Sequence, residues 1–292
     1  MSAREIGLRS VMNMLRFPRL ALVAGCLLWW QAGTARGEEN VVSRRTIHVR
    51  DPLRTVYLKV SVVNGDIQVK GYEGSDIIVE ARPQGNAPTD RKPAAESENA
   101  DNGPEGVRPG LNVREDDNRV NIGLVPTAQV IDLLIQVPSA THLTLHNHAK
   151  GGIRVEKVTG EIEAESVNGD ITVAEAAETV VAHSVNGRIQ VDFTPVFLFK
   201  PMSFTTVNGD IRIAFPPKLR AKVRLESTTG KVESDFDIKK QTPARLRKEG
   251  VEAKLPPPAV KKLTGTINNG GLDLFVKTLN GSIHLQKTVK KP

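Results

Sequence analysis

Cysteine is almost missing. Cys26 is the only one among 292 residues, so no disulfide can close within the chain and any fold must hold without covalent staples. Aromatic residues are scarce too: eight Phe, two Tyr and two Trp, with both Trp29 and Trp30 near the N-terminus. A core must therefore be built from Val, Ile and Leu, which favours thin, stacked sheets over a bulky globular interior. A chain of this length can bury such a core unaided. Concentrated positive charge is lacking as well. The formal charge is +7, and residues 1–35 hold four Arg and one Glu, which leaves +4 for the rest. That excludes the basic, aromatic-interleaved stripes that nucleic acid requires. There is no nucleophile elbow, phosphate loop or dinucleotide fingerprint.

The N-terminus reads as an export signal. Arg4, Arg9, Arg16 and Arg19 precede an uncharged apolar run from Leu20 to Trp30. Gly33-Thr34-Ala35 then supplies small residues for cleavage after Ala35, predicting a signal peptide over residues 1–35. The run is about half of the ~20 residues that a spanning helix needs, so no stable membrane span is expected after cleavage. The alternative is a short anchor that stays attached. Met14 opens a compact signal of its own, so the start is Met1 or Met14. Val23-Ala24-Gly25-Cys26 also fits a lipoprotein cleavage box, making Cys26 a candidate lipid anchor. Each route leads to the periplasm, the outer envelope or secretion.

What the chain does have is a repeat. Val63-Asn64-Gly65-Asp66-Ile67 returns as Val167-Asn168-Gly169-Asp170-Ile171, Val185-Asn186-Gly187-Arg188-Ile189 and Val207-Asn208-Gly209-Asp210-Ile211. Thr228-Thr229-Gly230-Lys231-Val232 is degenerate, and Leu279-Asn280-Gly281-Ser282-Ile283 closes the series. From Gly169 to Gly230 the spacings are 18, 22 and 21 residues, and Gly160, Gly169 and Gly187 leave Glu178 at a missing nine-residue mark. Apolar and polar residues alternate around each copy, as in a strand with one buried face. Asn-Gly tolerates positive φ and is a cheap place to turn.

The pattern predicts an all-β solenoid with coils of 18–22 residues. Valine before Asn and isoleucine after Asp would face inward, and Asn-Gly would form the corner. The alternative is an antiparallel meander or sandwich with longer, bulged hairpin turns. Stacked coils would align Ser166, Ser184, Thr206, Ser227 and Thr278 in one outer ladder and the Asn residues in another. The carboxylate position reads Asp66, Asp170, Arg188, Asp210, Lys231 and Ser282, and its mixed signs argue against a calcium ladder. Two stretches interrupt the repeat: a Pro-rich, acidic insertion at 83–110 and a basic one at 239–262, in which Pro243–Gly250 could hold a helical turn.

These residues resemble the bacterial putative-adhesin family of β-strand-repeat proteins, a head-GIN-like domain of unknown function. The likeness rests on the export signal, on Val63–Val69 followed by Gly71-Tyr72-Glu73-Gly74, on Ile135-Gln136-Val137-Pro138, and on the serial Val-Asn-Gly-Asp-Ile units. It covers most of residues 44–286. It implies a right-handed parallel β-helix or similar solenoid with a surface or envelope role, and it brings no catalytic residues.

The most distinctive polar group is His142, His146 and His148, which share one face of a strand and form a weak candidate for Zn²⁺ or Cu²⁺; no acidic partner stands at ligand spacing in sequence. No catalytic residue or cofactor is predicted, and the chain is not expected to be an enzyme. The repeat residues Asn64, Gly65, Asn168, Gly169, Asn186, Gly187, Asn208, Gly209, Asn280 and Gly281 are assigned to turns. The expected function is an exported, non-catalytic adhesive or structural module that binds an envelope protein or glycan. The first alternative is a periplasmic scaffold or sensor partner in an envelope-stress system. A carbohydrate-active β-helix enzyme comes third.

Overall fold

The computed structural model describes residues 43–51, 54–84, 111–124, 130–194, 200–240 and 260–288. The predicted leader, Cys26, most of the Pro-rich insertion and the Pro243–Gly250 turn lie outside the described residues.

Every described element is a strand, and in most of them apolar residues alternate with polar ones. The N-terminal group is β1 (Ser43–Ile47), β2 (Tyr57–Asn64), β3 (Ile67–Tyr72), β4 (Ile77–Pro83), β5 (Leu111–Asp116), β6 (Arg119–Leu124) and β7 (Ile131–Pro138). The central group is β8 (His142–Lys150), β9 (Ile153–Glu156), β10 (Ile162–Asn168), β11 (Ile171–Ala176), β12 (Val180–Asn186), β13 (Ile189–Phe193), β14 (Met202–Asn208) and β15 (Ile211–Phe215). The C-terminal group is β16 (Ala221–Ser227), β17 (Val232–Ser234), β18 (Lys239–Lys240), β19 (Lys261–Ile267), β20 (Leu272–Asn280) and β21 (Ile283–Lys287). Strand structure thus enters both predicted insertions: β4 runs to Pro83, and Lys239, Lys240, Lys261 and Lys262 all lie in strands. No helix among the described residues is long and apolar enough to cross a membrane.

The strands form two mostly parallel sheets. Sheet A has the order β1-β4-β7-β3-β9-β11-β13-β15-β21-β17, and sheet B the order β18-β19-β16-β20-β14-β12-β10-β8-β2-β6-β5. In each repeat copy one sheet-B strand, the Asn-Gly corner and one sheet-A strand make a rung, while the β8–β9 rung turns at Gly151-Gly152 and the β16–β17 rung at Thr229-Gly230. Copies of the repeat pair in parallel and in register, Ile171 with Ile189 and Ile189 with Ile211, so Asn-Gly does not close a hairpin. Among the described residues, antiparallel pairs occur only toward the ends, where β4 pairs with β1 and β7, β5 with β6, and β19 with β16 and β18.

Chain order and stacking order differ at both ends. From β8 to β15 each rung lies on the one before it. At the N-terminal end β6 and β7 stack outside β2 and β3, and β8 and β9 then return to the other side of that first rung. At the C-terminal end β16 and β17 leave a gap, which β20 and β21 later fill beside β14 and β15.

Columns of like residues fill the space between the sheets. Ile67, Ile153, Ile171, Ile189, Ile211 and Ile283 are aligned and fully buried. Their branched side chains fit the pleated surface. Phe193 and Phe215 stack 4.6 Å apart on neighbouring rungs.

One part of the expected side-chain phase is reversed. The valine before Asn faces outward: Val63 is 51% exposed, Val167 36% and the corresponding Leu279 43%. The serine or threonine before it faces inward, and Ser166, Ser184, Thr206, Ser227 and Thr278 are all at most 5% exposed. The physical reason lies one rung away. Ser166 Oγ donates to Gly151 O at 3.2 Å, Ser184 to Gly169 O at 3.3 Å, Thr206 to Gly187 O at 3.0 Å, Thr278 to Gly209 O at 2.9 Å and Ser227 to Gly281 O at 2.8 Å. A buried hydroxyl is tolerated because each finds a carbonyl.

The glycines also have a different task from the one expected. Gly169, Gly187, Gly209 and Gly281 do not adopt left-handed φ, although Gly65 does, at 122°. They permit close approach. A Cβ on Gly187 would lie 2.0 Å from Gly169 O, one on Gly209 2.0 Å from Gly187 O, and one on Gly281 1.9 Å from Gly209 O. Backbone bonds therefore continue through the corner, from Gly169 N to Asn186 O and from Gly187 N to Asn208 O, both 3.0 Å.

Candidate functional site

The repeat's polar side chains are largely spent on the stack itself. Asp170 Oδ1 accepts from Arg188 N at 2.7 Å, Asp66 Oδ1 from Gly152 N at 2.7 Å and Asp210 Oδ1 from Ser282 N at 2.8 Å. Each carboxylate ties its corner to the next rung. Stacking order sets Gly152 between Asp66 and Asp170 and Arg188 between Asp170 and Asp210, which keeps these three charges apart, whereas Asp132 lies on the rung beside Asp66 and accepts from its backbone N at 2.7 Å. Outside them runs the amide ladder. Asn168 Nδ2 donates to Ala149 O at 2.7 Å, Asn186 to Asn168 Oδ1 at 2.8 Å, Asn208 to Asn186 Oδ1 at 2.7 Å and Asn280 to Asn208 Oδ1 at 2.8 Å. Asn64 does not join this relay among the described residues, because β8 carries an irregularity opposite it and pairs Lys150 with it.

The outer face of sheet B offers a partner two columns of side chains. Its first column, beside the amide ladder, carries Val63, Val167, Val185, Val207 and Leu279, with the β8 rung and its exposed His148 lying between Val63 and Val167. The second is a row of charged and polar groups in register, Ser61, His146, Glu165, His183, Thr205, Lys277, Glu226 and Lys262. Several are paired across rungs: His146 Nδ1 with Glu165 Oε2 at 3.0 Å, His183 Nδ1 with Thr205 Oγ1 at 2.6 Å, and Lys262 Nζ with Glu226 Oε1 at 3.1 Å. Burial acts to raise the Glu226 carboxyl, but hydrogen bonds from Arg224 and Lys262 and their positive charge outweigh it, leaving Glu226 below the usual range. Further along the same face the Arg224 guanidinium lies 5.6 Å above the Phe275 ring.

The three histidines do share this outer face, but they do not form one group. His142 and His146 are four residues apart on an extended strand, a separation of about 13 Å. His146 and His148 stack with centroids 6.1 Å apart, and His148 Nε2 hydrogen-bonds Ser61 Oγ at 2.9 Å. Stacking instead brings Glu161 and Glu178 to His142, and one ligand atom from each of the three lies within 4.8 Å of the others. Neither glutamate was assigned from sequence. The usable signal was the period: Glu161 follows His142 by 19 residues, one coil, and Glu178 stands at the vacant nine-residue mark.

Two solved bacterial structures resemble this fold. A "putative cell adhesion protein" from Clostridium sporogenes ATCC 15579 aligns with a TM-score of 0.45 and 10% identity, over 84% of this chain and 98% of that one. A "putative adhesin" from Bacteroides fragilis NCTC 9343 aligns with a TM-score of 0.37 and 9% identity, over 84% of this chain and 96% of that one. No family model matches the sequence. No curated protein matches it either.

Proposed function

We propose that the chain is an exported, non-catalytic module, folded as a right-handed β-solenoid, that binds an envelope protein or glycan through the outer face of sheet B. The observation that carries this reading is the outward column Val63, Val167, Val185, Val207 and Leu279, of which Val63, Val167 and Leu279 are exposed and Val185 and Val207 half-buried. The pattern places apolar side chains outward at the position where an inward valine was expected, although the core is already filled. An apolar stripe rimmed by polar groups is the signature of a contact surface. At about 4.8 Å per rung, the column from Val63 to Leu279 extends roughly 24 Å, long enough for an extended partner. The aspartates and hydroxyls of the repeat are committed to backbone groups, which supports a binding role for the face over a chemical one.

Capture from envelope extracts tests this, using protein that begins after Ala35, alongside a panel of immobilised envelope glycans. The wild type should retain a specific protein or glycan. The double variant Val167→Asp/Leu279→Asp should lose it while keeping its circular dichroism spectrum and melting temperature. Undiminished capture by the folded double variant would rule the stripe out.

A further inference from the structure

The corner of the stack opposite Asn-Gly, where sheet-B strands begin, brings three rungs to one point. His142 opens β8, Glu161 directly precedes β10, and Glu178 stands two residues before β12. These strands are adjacent in sheet B. The donor set is one imidazole and two carboxylates, with one atom from each inside a 4.8 Å span. The Tyr57 ring tilts against His142 with centroids 5.1 Å apart and limits where the imidazole can turn. The corner already attracts a cation from the chain itself. Lys200 Nζ donates to Glu161 Oε1.

We propose that His142, Glu161 and Glu178 form a divalent transition-metal site suited to Zn²⁺, in which the Lys200 ammonium stands in for the metal until the metal displaces it. Nitrogen and carboxylate oxygen are ordinary zinc ligands at about 2.0–2.2 Å, which puts tetrahedral ligand atoms about 3.3–3.5 Å apart. The present span needs to contract by little more than ~1 Å, a movement within reach of the exposed Glu178 side chain. Imidazole disfavours calcium and magnesium, which take oxygen ligands. Three protein ligands leave a fourth position for water or for a donor on a bound partner. Because the ligands come from three rungs, the metal would staple β8, β10 and β12, and binding should stabilise the folded chain. His146 and His148 make a poorer site: their rings are parallel, and one nitrogen of each is engaged by Glu165 or Ser61.

The test is calorimetric titration of ZnCl₂ into the full chain carrying Cys26→Ser, which removes the only thiol. One equivalent should bind and raise the melting temperature. His142→Ala and Glu178→Gln should each weaken binding by about tenfold or more, since each removes one of three ligands. Lys200→Ala should tighten it, and His146→Ala/His148→Ala should leave it unchanged. Two outcomes overturn the proposal: no binding by either the Cys26→Ser chain or its Lys200→Ala derivative, or binding that survives His142→Ala and is lost with His146 and His148.

Discussion

Gly187→Ala places a methyl group at the narrowest point between two rungs. The new carbon would lie 2.0 Å from Gly169 O, 2.6 Å from its carbonyl carbon and 2.8 Å from Ser184 Oγ. A carbon–oxygen contact needs about 3.3 Å, so the rungs must part by roughly 1.3 Å. Three bonds close that gap: Gly169 N to Asn186 O at 3.0 Å, Ile171 N to Arg188 O at 2.8 Å and Arg188 N to Asp170 Oδ1 at 2.7 Å. Each would be stretched past about 3.5 Å, beyond hydrogen-bonding range. At about 1 kcal/mol net per bond, with overpacking strain of about 1–3 kcal/mol, the expected loss is about 3–5 kcal/mol if the backbone relaxes only in part. That is a large share of the ~5–15 kcal/mol that stabilises a typical protein. Urea unfolding at fixed pH measures it as a shift in midpoint. Gly123→Ala is the control, because its nearest neighbour, Ser61 O, is 4.0 Å away, and it should change stability by no more than about 0.5 kcal/mol. Gly187→Asn separates close approach from backbone conformation. Asparagine tolerates left-handed φ, so it would be spared if φ were the requirement, and it should be as damaging as alanine. A Gly187→Ala midpoint equal to that of Gly123→Ala would refute the close-approach account.

Other substitutions probe the ladders. Asn186→Ala breaks two amide bonds and Asn280→Ala one, so at about 0.5–1.5 kcal/mol each the first should cost about twice the second in urea unfolding; equal losses would show that the amides do not act as a relay. Glu226 supplies the pH dependence. A carboxyl held below its ordinary value stabilises the fold above the unfolded range, near pH ~4.3, and that stability is lost as pH falls through the folded value. The melting-temperature difference between wild type and Glu226→Gln should therefore be widest near neutrality and shrink in acid, and a difference that stays constant down to pH ~3 would contradict the assignment.

Much of the stack was legible from local pattern. The isoleucine after Asp repeats at the coil period and fills the core, because side chains alternate along a strand and aliphatic residues must be buried. The register of the Asn ladder from Asn168 to Asn280 followed from the same alignment, but Asn64 falls outside it. The phase of Ser and Val did not. Residue type alone puts valine inside and serine outside, yet the carbonyl of the glycine one rung away needs a donor and only the serine position reaches it. The histidine group failed as read because sharing a face says nothing about the distance along it. Its actual partners, Glu161 and Glu178, sit on later coils.

By itself the sequence determined the all-β class, the two kinds of face on each strand and the length of one rung, since these follow from spacing within a single coil. Only the tertiary structure decided which rung lies on which. The spacing of Val63-Asn64-Gly65 is the same whether the next coil stacks above it or below it. The crossed order at both ends depends on where a whole strand pair can close backbone hydrogen bonds with its neighbours. That order also places Asn280 on Asn208, sets Arg188 between Asp170 and Asp210 and brings His142 to Glu161. Contacts between coils are non-local, and no local motif encodes them.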